Sequence, residues 1–365
     1  MNGTPRVTAT VDLAAIRHNL RQVRRYAPQT RVMAAIKADA YGHGAAPVAR
    51  ALLDQADSFG VACMQEALIL REAHIRAPLV LLEGILSPEE AKLALRYDLQ
   101  VVVHDHWQLE ILEALPQGAR ILLWIKLDSG MHRLGFPLAE TAKLWARVQA
   151  RPEWEFCGWM THLACADETD NSATAQQIAV FGNALKDISG ARSIANSAGL
   201  IAWPDSRADW VRPGLMLYGA SPFPDKTAAE LGLKPAMKLE SRLIAVHQFA
   251  KGDGIGYGAP YRCPEDMPVG VVAAGYGDGI RRGTPIGTPM IIAGRRVALI
   301  GRVSMDMITV DLRPVPQAKA GDSVLLWGEG LPAEEIARHV GTLAYELFCG
   351  LTQRVSFKHP EVRDG

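Results

Sequence analysis

The chain has 365 residues, 48% of them hydrophobic and 21% charged, which suits two domains or one enlarged α/β domain of an ordinary globular protein. Lysine plus arginine and aspartate plus glutamate each number 39, so the net charge is zero, and no basic block offers a phosphate-binding stripe; nucleic acid is not an expected partner. No apolar run reaches membrane-span length, the N-terminus lacks a signal core, and the five scattered cysteines form no CxxC pair, so a cytoplasmic chain without disulfides, zinc or other metal is expected.

In chain order, Asp12 is placed to cap a helix over Leu13–Arg25. A recurring unit follows, a short β-rich apolar run and then apolar residues at helical spacing. The expected strands are Arg31–Lys37, Ser58–Cys63, Pro78–Glu83, Gln100–His104, Arg120–Asp128, Glu155–His162, Ser193–Asn196 and Asp209–Pro213. Helical patterns lie between them over Gln65–His74, Pro88–Tyr97, Gln108–Ala114, Leu138–Ala150 and Thr174–Asp187, with Ser87-Pro88 as cap and first turn of the second. Eight β/α units in series predict a (β/α)8 TIM-like barrel, about residues 1–230, with its chemistry at the carboxyl ends of the strands. Beyond Ser221–Lys234, the expected linker, alternating runs between glycine and proline turns predict a mostly antiparallel β domain over 231–365. Its strands are expected at Leu239–Phe249, Val269–Ala274, Met290–Ile292, Val297–Ile300, Met307–Val310 and Ser323–Trp327, with one helix at Pro332–His339.

The strand ends carry Lys37, His104, Lys126 with Asp128, His162, Asn196 with Ser197, and Arg212. A polar residue closing a strand is ordinarily a solvated rim residue. A lysine, two histidines and an arginine converging on one face make a coherent site instead. Lys37 stands in Ala35-Ile36-Lys37-Ala38-Asp39-Ala40-Tyr41-Gly42-His43-Gly44, where partial desolvation frees an amine able to form an imine with an aldehyde cofactor.

Together with Trp124–Gly135, Ala195-Asn196-Ser197-Ala198, Val211–Gly219, Gly256-Tyr257-Gly258, Ala273–Gly279 and Ser304-Met305-Asp306-Met307, this segment closely resembles the alanine racemases dependent on pyridoxal phosphate (fold type III). The resemblance runs from Val7 to Val355 with the motifs in order. Asp209–Gly214 and Tyr345-Glu346-Leu347 look most like the catabolic branch.

The resemblance implies that Lys37 holds pyridoxal 5′-phosphate and is one of two acid–base groups, since moving a proton between the two faces of Cα needs a base on each. It implies Tyr257 from the partner subunit of a homodimer as the second base, supported by His162 and, through it, by Arg212. Arg212 would face the ring nitrogen and leave it largely unprotonated. The phosphate would be held by the Ser197, Tyr41 and Tyr345 hydroxyls and the backbone around Gly214 and Leu215, with Asn196 alongside. Arg133 would orient the substrate carboxylate, helped by Met305 of the partner subunit. Lys126 matches a lysine carbamylated in many relatives. Asp167, Tyr276, Arg281, Arg302 and Asp306 match an access corridor, with Tyr257 and Tyr345 its inner gate; Ser304 stands where many relatives have cysteine. The implied reaction is interconversion of L- and D-alanine, for cell-wall precursor supply or for catabolism. The alternatives are a racemase of broader specificity, a decarboxylase on the related barrel, and a non-catalytic pyridoxal phosphate carrier. The β domain argues against the carrier, and Arg212 against the decarboxylase.

Overall fold

The computed structural model describes residues 5–360 and divides into two compact units. One comprises Arg17–Leu217 with Ser221–Lys226; the other the chain up to Ile16, Tyr218–Ala220 and the chain from Thr227 onward.

In the first unit, eight parallel strands close into a barrel: Arg31–Ala35, Ser58–Val61, Leu79–Leu81, Leu99–Val103, Ile121–Asp128, Trp154–Met160, Arg192–Ser193 and Trp210–Val211. The eighth strand pairs with the first through Trp210↔Arg31 and Val211↔Val32, so no edge is left open. All eight expected strands are present, most of them shorter at the carboxyl end than expected. That trimming releases the chemistry-bearing residues into loops. Met33, Val80, Val102, Trp124, Met160 and Trp210 pack together, one each from six strands. Trp124 and Trp210 meet edge to face with ring centroids 5.8 Å apart.

The helices begin as their capping residues dictate. Asp12 accepts from the Ala14 and Ala15 amides at 2.8 and 3.0 Å, and Ser87 accepts from Glu90 at 3.2 Å. Three helices that follow barrel strands also carry an acidic or amide side chain in the first turn, reaching back to the amide four residues earlier. Glu66 accepts from Ala62 at 2.8 Å, Glu90 from Leu86 at 2.7 Å, and Gln108 from His104 at 2.9 Å. Each bond ties a strand-end loop to the helix behind it.

In the second unit, Met237–Phe249, Met267–Val272, Ile308–Asp311, Arg295–Ile300, Pro289–Ile292 and Ser323–Trp327 form a closed antiparallel sheet. The N-terminal strand Thr8–Val11 joins it, antiparallel to Met237–Phe249 and parallel to Ser356–Lys358. The N-terminal residues counted with the barrel therefore belong to the β unit. Ser221–Lys226, the first half of the expected linker, groups with the barrel. A second short helix, Ala344–Cys349, follows the expected one, observed at Ala333–Val340. No described helix is long and apolar enough to cross a membrane.

Gly158 on the sixth barrel strand has φ +148°, and a Cβ there would lie 2.4 Å from the Ala191 carbonyl oxygen and 2.7 Å from the Trp124 ring. Gly158→Ala is expected to destabilise the barrel by about 1–3 kcal/mol, read as a lower midpoint of urea unfolding at unchanged slope.

Candidate active site

The first barrel strand ends at Ala35, with its amide bonded to the Pro213 carbonyl (2.9 Å) and the next amide, Ile36, bonded to Gly60 (2.9 Å). Lys37 follows, partly buried. The four residues after it, Ala38, Asp39, Ala40 and Tyr41, all have φ between +51° and +54° and ψ between +45° and +50°. This is one turn of left-handed helix without a glycine in it, a conformation that costs about 1–2 kcal/mol per residue. Such strain persists only where surrounding contacts over-determine it. It brings the Tyr41 hydroxyl to the backbone of Gly214, where an added Cβ would sit 2.5 Å from it. Gly214 is required by that close approach.

Trp124 and Lys126 alternate on the fifth barrel strand, so the lysine shares the tryptophan's inward face one step nearer the carboxyl end. Lys126 is buried, and desolvation, with Arg212, Arg133 and Lys37 adding repulsion, pushes its ammonium down to about 8. The strand ends at Asp128, whose carboxylate accepts from the Gly130, Met131 and His132 amides at 2.9–3.1 Å and pairs with the His132 ring at 3.0 Å. Burial would raise Asp128, but these contacts outweigh it and hold the carboxyl below its usual range. The turn they build presents Arg133, which is exposed.

Arg212 follows the eighth strand and is buried. Its guanidinium donates to the Thr161 carbonyl (2.5 Å), Ser193 Oγ (2.7 Å), the Ile194 carbonyl (3.2 Å) and His162 Nδ1 (3.3 Å). Burial pushes it down to about 10, which leaves it protonated at neutral pH. Because Arg212 donates to Nδ1, the neutral His162 ring carries its proton on Nε2. Burial, reinforced by Arg212, Lys126, Arg133 and Lys37, holds His162 well below the usual imidazole range. The His162 loop is held by Gln177, which donates to the His162 carbonyl (3.1 Å) and accepts from Ala164 (2.9 Å). His104 is set beside the same mouth, bonded to the Glu83 carbonyl at 3.1 Å and lowered mainly by burial.

Asn196 caps the helix Ser197–Ala202 through its Oδ1, which accepts from Gly199 at 2.9 Å. Ser197 Oγ accepts from the Gly214 amide (2.9 Å) and the Met216 amide (3.3 Å). The Gly214 amide thus supports the serine, and the serine's own hydrogen remains to be donated. Leu215 opens the next short turn. Asp167 is exposed on the loop after the sixth strand.

The β unit carries the remaining expected residues. Tyr257 is 72% exposed, between Gly256 (φ +74°) and Gly258 (φ +75°). Arg302 lies against this loop, its amide 3.2 Å from where a Gly256 Cβ would be. Tyr276 and Gly277 donate to the Ser304 and Met305 carbonyls at 3.0 and 2.8 Å, tying the Gly275–Gly279 turn to Met305. Asp278, buried under that turn, accepts from the Gly275 amide (2.9 Å) and pairs with Arg354 (3.2 Å), which also reaches Asp306 (2.8 Å). Arg281 pairs with Glu346 at 2.9 Å, beside Tyr345 on the second short helix. Met305 and Tyr345 are exposed. Sequence reasoning missed Glu66, His43, Gln177, Asp278 and Arg354 as organising groups. Only Glu66 carried a usable signal, its place in the first turn of a helix.

Fold and site together define an enzyme class: a parallel barrel with a lysine, a histidine and a buried arginine at its carboxyl end, followed along the chain by a β domain. Residues 11–222 match the family model for the alanine racemase N-terminal domain, and residues 236–359 that for the C-terminal domain. The alanine racemase of Halorhodospira halophila is 49% identical over 348 residues, covering 95% of this chain and 96% of that protein. That of Nitrosococcus oceani is 51% identical over 349 residues, covering 95% and 97%. The solved biosynthetic alanine racemase from Pseudomonas aeruginosa superposes with a TM-score of 0.95 at 45% identity, over 98% of this chain and 100% of that one. The chain belongs to the alanine racemase family.

Lys126 yields a pH prediction. Its folded pKa, about 8, lies below the ordinary lysine value of 10.5, so between those values the unfolded state binds more protons and stability rises with pH. In carbon dioxide-free buffer, Lys126→Met is expected to stabilise the cofactor-free protein at pH 7 by about 2–3 kcal/mol. The gain should shrink as pH rises from 8 towards 10.5. Thermal unfolding across pH measures it, and a pH-independent effect would refute the assignment.

Proposed function

We propose that this chain interconverts L- and D-alanine with pyridoxal 5′-phosphate, as a homodimer with shared sites in the cytoplasm. The observation that carries the reading is Arg212: a buried guanidinium whose hydrogen-bond partners are all neutral, with a neutral histidine beside it. A buried cation so placed is strongly disfavoured unless an electron-rich partner completes its environment. The ring nitrogen of the cofactor is such a partner. The cationic groups Lys37, Arg133 and Arg212 also suit a phosphorylated cofactor and a carboxylate substrate.

In this reading Lys37 attaches the cofactor, and Ser197, Tyr41, Tyr345, Asn196 and the Gly214–Leu215 backbone hold its phosphate. The bound cofactor supplies an electron sink that acidifies the substrate Cα–H. Lys37 exchanges that proton on one face and Tyr257 of the other copy on the opposite face. A phenol titrates near pH 10, so it needs help to act as a base near neutrality. His162 Nε2–H donates to the Tyr257 oxygen and stabilises its deprotonated form. Arg133 and Met305 orient the carboxylate. Carbamylation turns Lys126 into an anion that buttresses Arg133; an ammonium pushed down to about 8 supplies the neutral amine this requires. Asp167, Tyr276, Arg281, Arg302 and Asp306 line the approach. The exposure of Tyr257, Met305 and Tyr345 supports their covering by a second copy.

Lys37→Ala is expected to abolish racemisation and the visible absorbance of bound cofactor. Tyr257→Phe should lose racemisation yet still exchange the α-proton of D-alanine with solvent deuterium through Lys37. Mixing and reannealing these two inactive variants should restore about a quarter of the wild-type rate, because half the dimers then carry one intact site. No recovery would place both bases on one chain. A chiral assay across amino acids tests specificity; one added methylene is discriminated by about 1–3 kcal/mol, so slow turnover of 2-aminobutyrate is expected. Failure of a well-loaded protein to turn over any amino acid would favour the carrier. The motif forms at Asp209–Gly214 and Tyr345–Leu347 look like the catabolic branch, and the role is cell-wall supply or catabolism; dependence of a deletion strain on added D-alanine would assign the first, growth without it the second.

A further inference from the structure

Glu66 lies on the helix after the second barrel strand, outside every motif that identified the site. Its carboxylate uses both oxygens on backbone amides. Oε2 accepts from Ala62, in its own loop, at 2.8 Å, and Oε1 accepts from Ala38 at 2.7 Å. The second amide belongs to the peptide bond that follows Lys37, where the left-handed turn begins. At the far end, the fully buried His43 places Nδ1 2.9 Å from the Tyr41 carbonyl and 3.1 Å from the Ala40 carbonyl. Two carbonyl acceptors require the proton on Nδ1. Asp39 closes the segment by accepting from the Ala45 amide at 2.7 Å.

We propose that Glu66 and His43 are positioning residues: by gripping Ala38–Tyr41 at both ends they hold the left-handed turn that aims Lys37 and sets the Tyr41 hydroxyl against Gly214. Four alanine-, aspartate- and tyrosine-bearing positions do not stay left-handed unaided, because each Cβ crowds the following carbonyl. Relaxation to right-handed helix would reverse the rotation between Lys37 and Tyr41. A charge-assisted bond at the first amide, where a reversal would start, is the contact best placed to prevent it. The carboxylate also joins the loops of the first two strands, so the attachment lysine is referenced to the barrel and not only to its own loop.

The inference rests on the proposed cofactor role of Lys37, and its test separates the two. Cofactor-free wild-type protein is titrated with pyridoxal phosphate and followed by visible absorbance and circular dichroism. No binding by the wild type would sink the functional reading itself. Given binding, Glu66→Ala is expected to weaken it about tenfold or more, with Glu66→Gln intermediate, since one amide then meets an –NH2 group. His43→Leu should do the same and His43→Asn should recover much of the loss through its own N–H donor. Two further results separate positioning from general support of the barrel. Glu66→Gln and Tyr41→Phe should be less than additive in affinity. Ala38→Gly with Ala40→Gly should restore binding in the Glu66→Ala background, because glycine takes positive φ without strain. Unchanged affinity in Glu66→Ala, or full additivity with no glycine rescue, would overturn the proposal.

Discussion

Arg212 is the constraint from which the electrostatics of the barrel mouth follow. A guanidinium cannot shed its proton to escape burial, so its surroundings adapt to a fixed positive charge. Thr161, Ser193 and Ile194 supply oxygens that satisfy its N–H groups without neutralising it. The uncompensated charge then acts on its neighbours. Burial does most to keep His162 neutral and to lower the Lys126 ammonium, and the charge of Arg212 adds to both. Replacing Arg212 by lysine would preserve the charge but not the fork that reaches four acceptors on two segments of chain. Geometry and charge are one device here.

Holding such a site together is the task of a second set of residues, which carry no chemistry themselves. Glu66, Glu90 and Gln108 each reach from the first turn of a helix to the amide just before it, and Gln177 does related work for the His162 loop. Parallel barrel strands end in backbone groups that the ladder cannot pair, and a loop left to water would wander. A half-buried carboxylate or a buried amide satisfies those groups and sets the loop's path. The strained turn after Lys37 is the extreme case. There the clamp comes from the helix after the neighbouring strand, and the conformation it maintains is one the chain would not choose alone.

Much of this was legible in the sequence, and the legible part shares a physical character. Short β-rich apolar runs alternating with helical patterning over Arg31–Val211 located every barrel strand. Lys37, His162, Arg212 and Ser197 were readable because strand ends are where such a barrel puts its chemistry. The ownership of the N-terminal strand was not. Thr8–Val11 pairs with residues more than 200 positions away, and strand pairing leaves no local trace. Nor was the left-handed turn: Ala38-Asp39-Ala40-Tyr41 contains no glycine to announce positive φ, and its cause lies in Glu66 and His43.

This difference bears on which residues a sequence-based reading of function can find. A residue that touches substrate or cofactor is constrained by chemistry, and its type and spacing betray it. A residue that acts through another is constrained by where the fold places a backbone amide, and many sequences satisfy that equally well. Glu66 in isolation is a first-turn carboxylate, one of several on this barrel. Only the second oxygen, turned to the Ala38 amide, separates it from Glu90, and that contact exists because the first two strands are neighbours in register, Ala35 against Gly60. The site's precision is therefore a property of the closed sheet. The side chains at the barrel mouth inherit it through loops tied to the helices behind them.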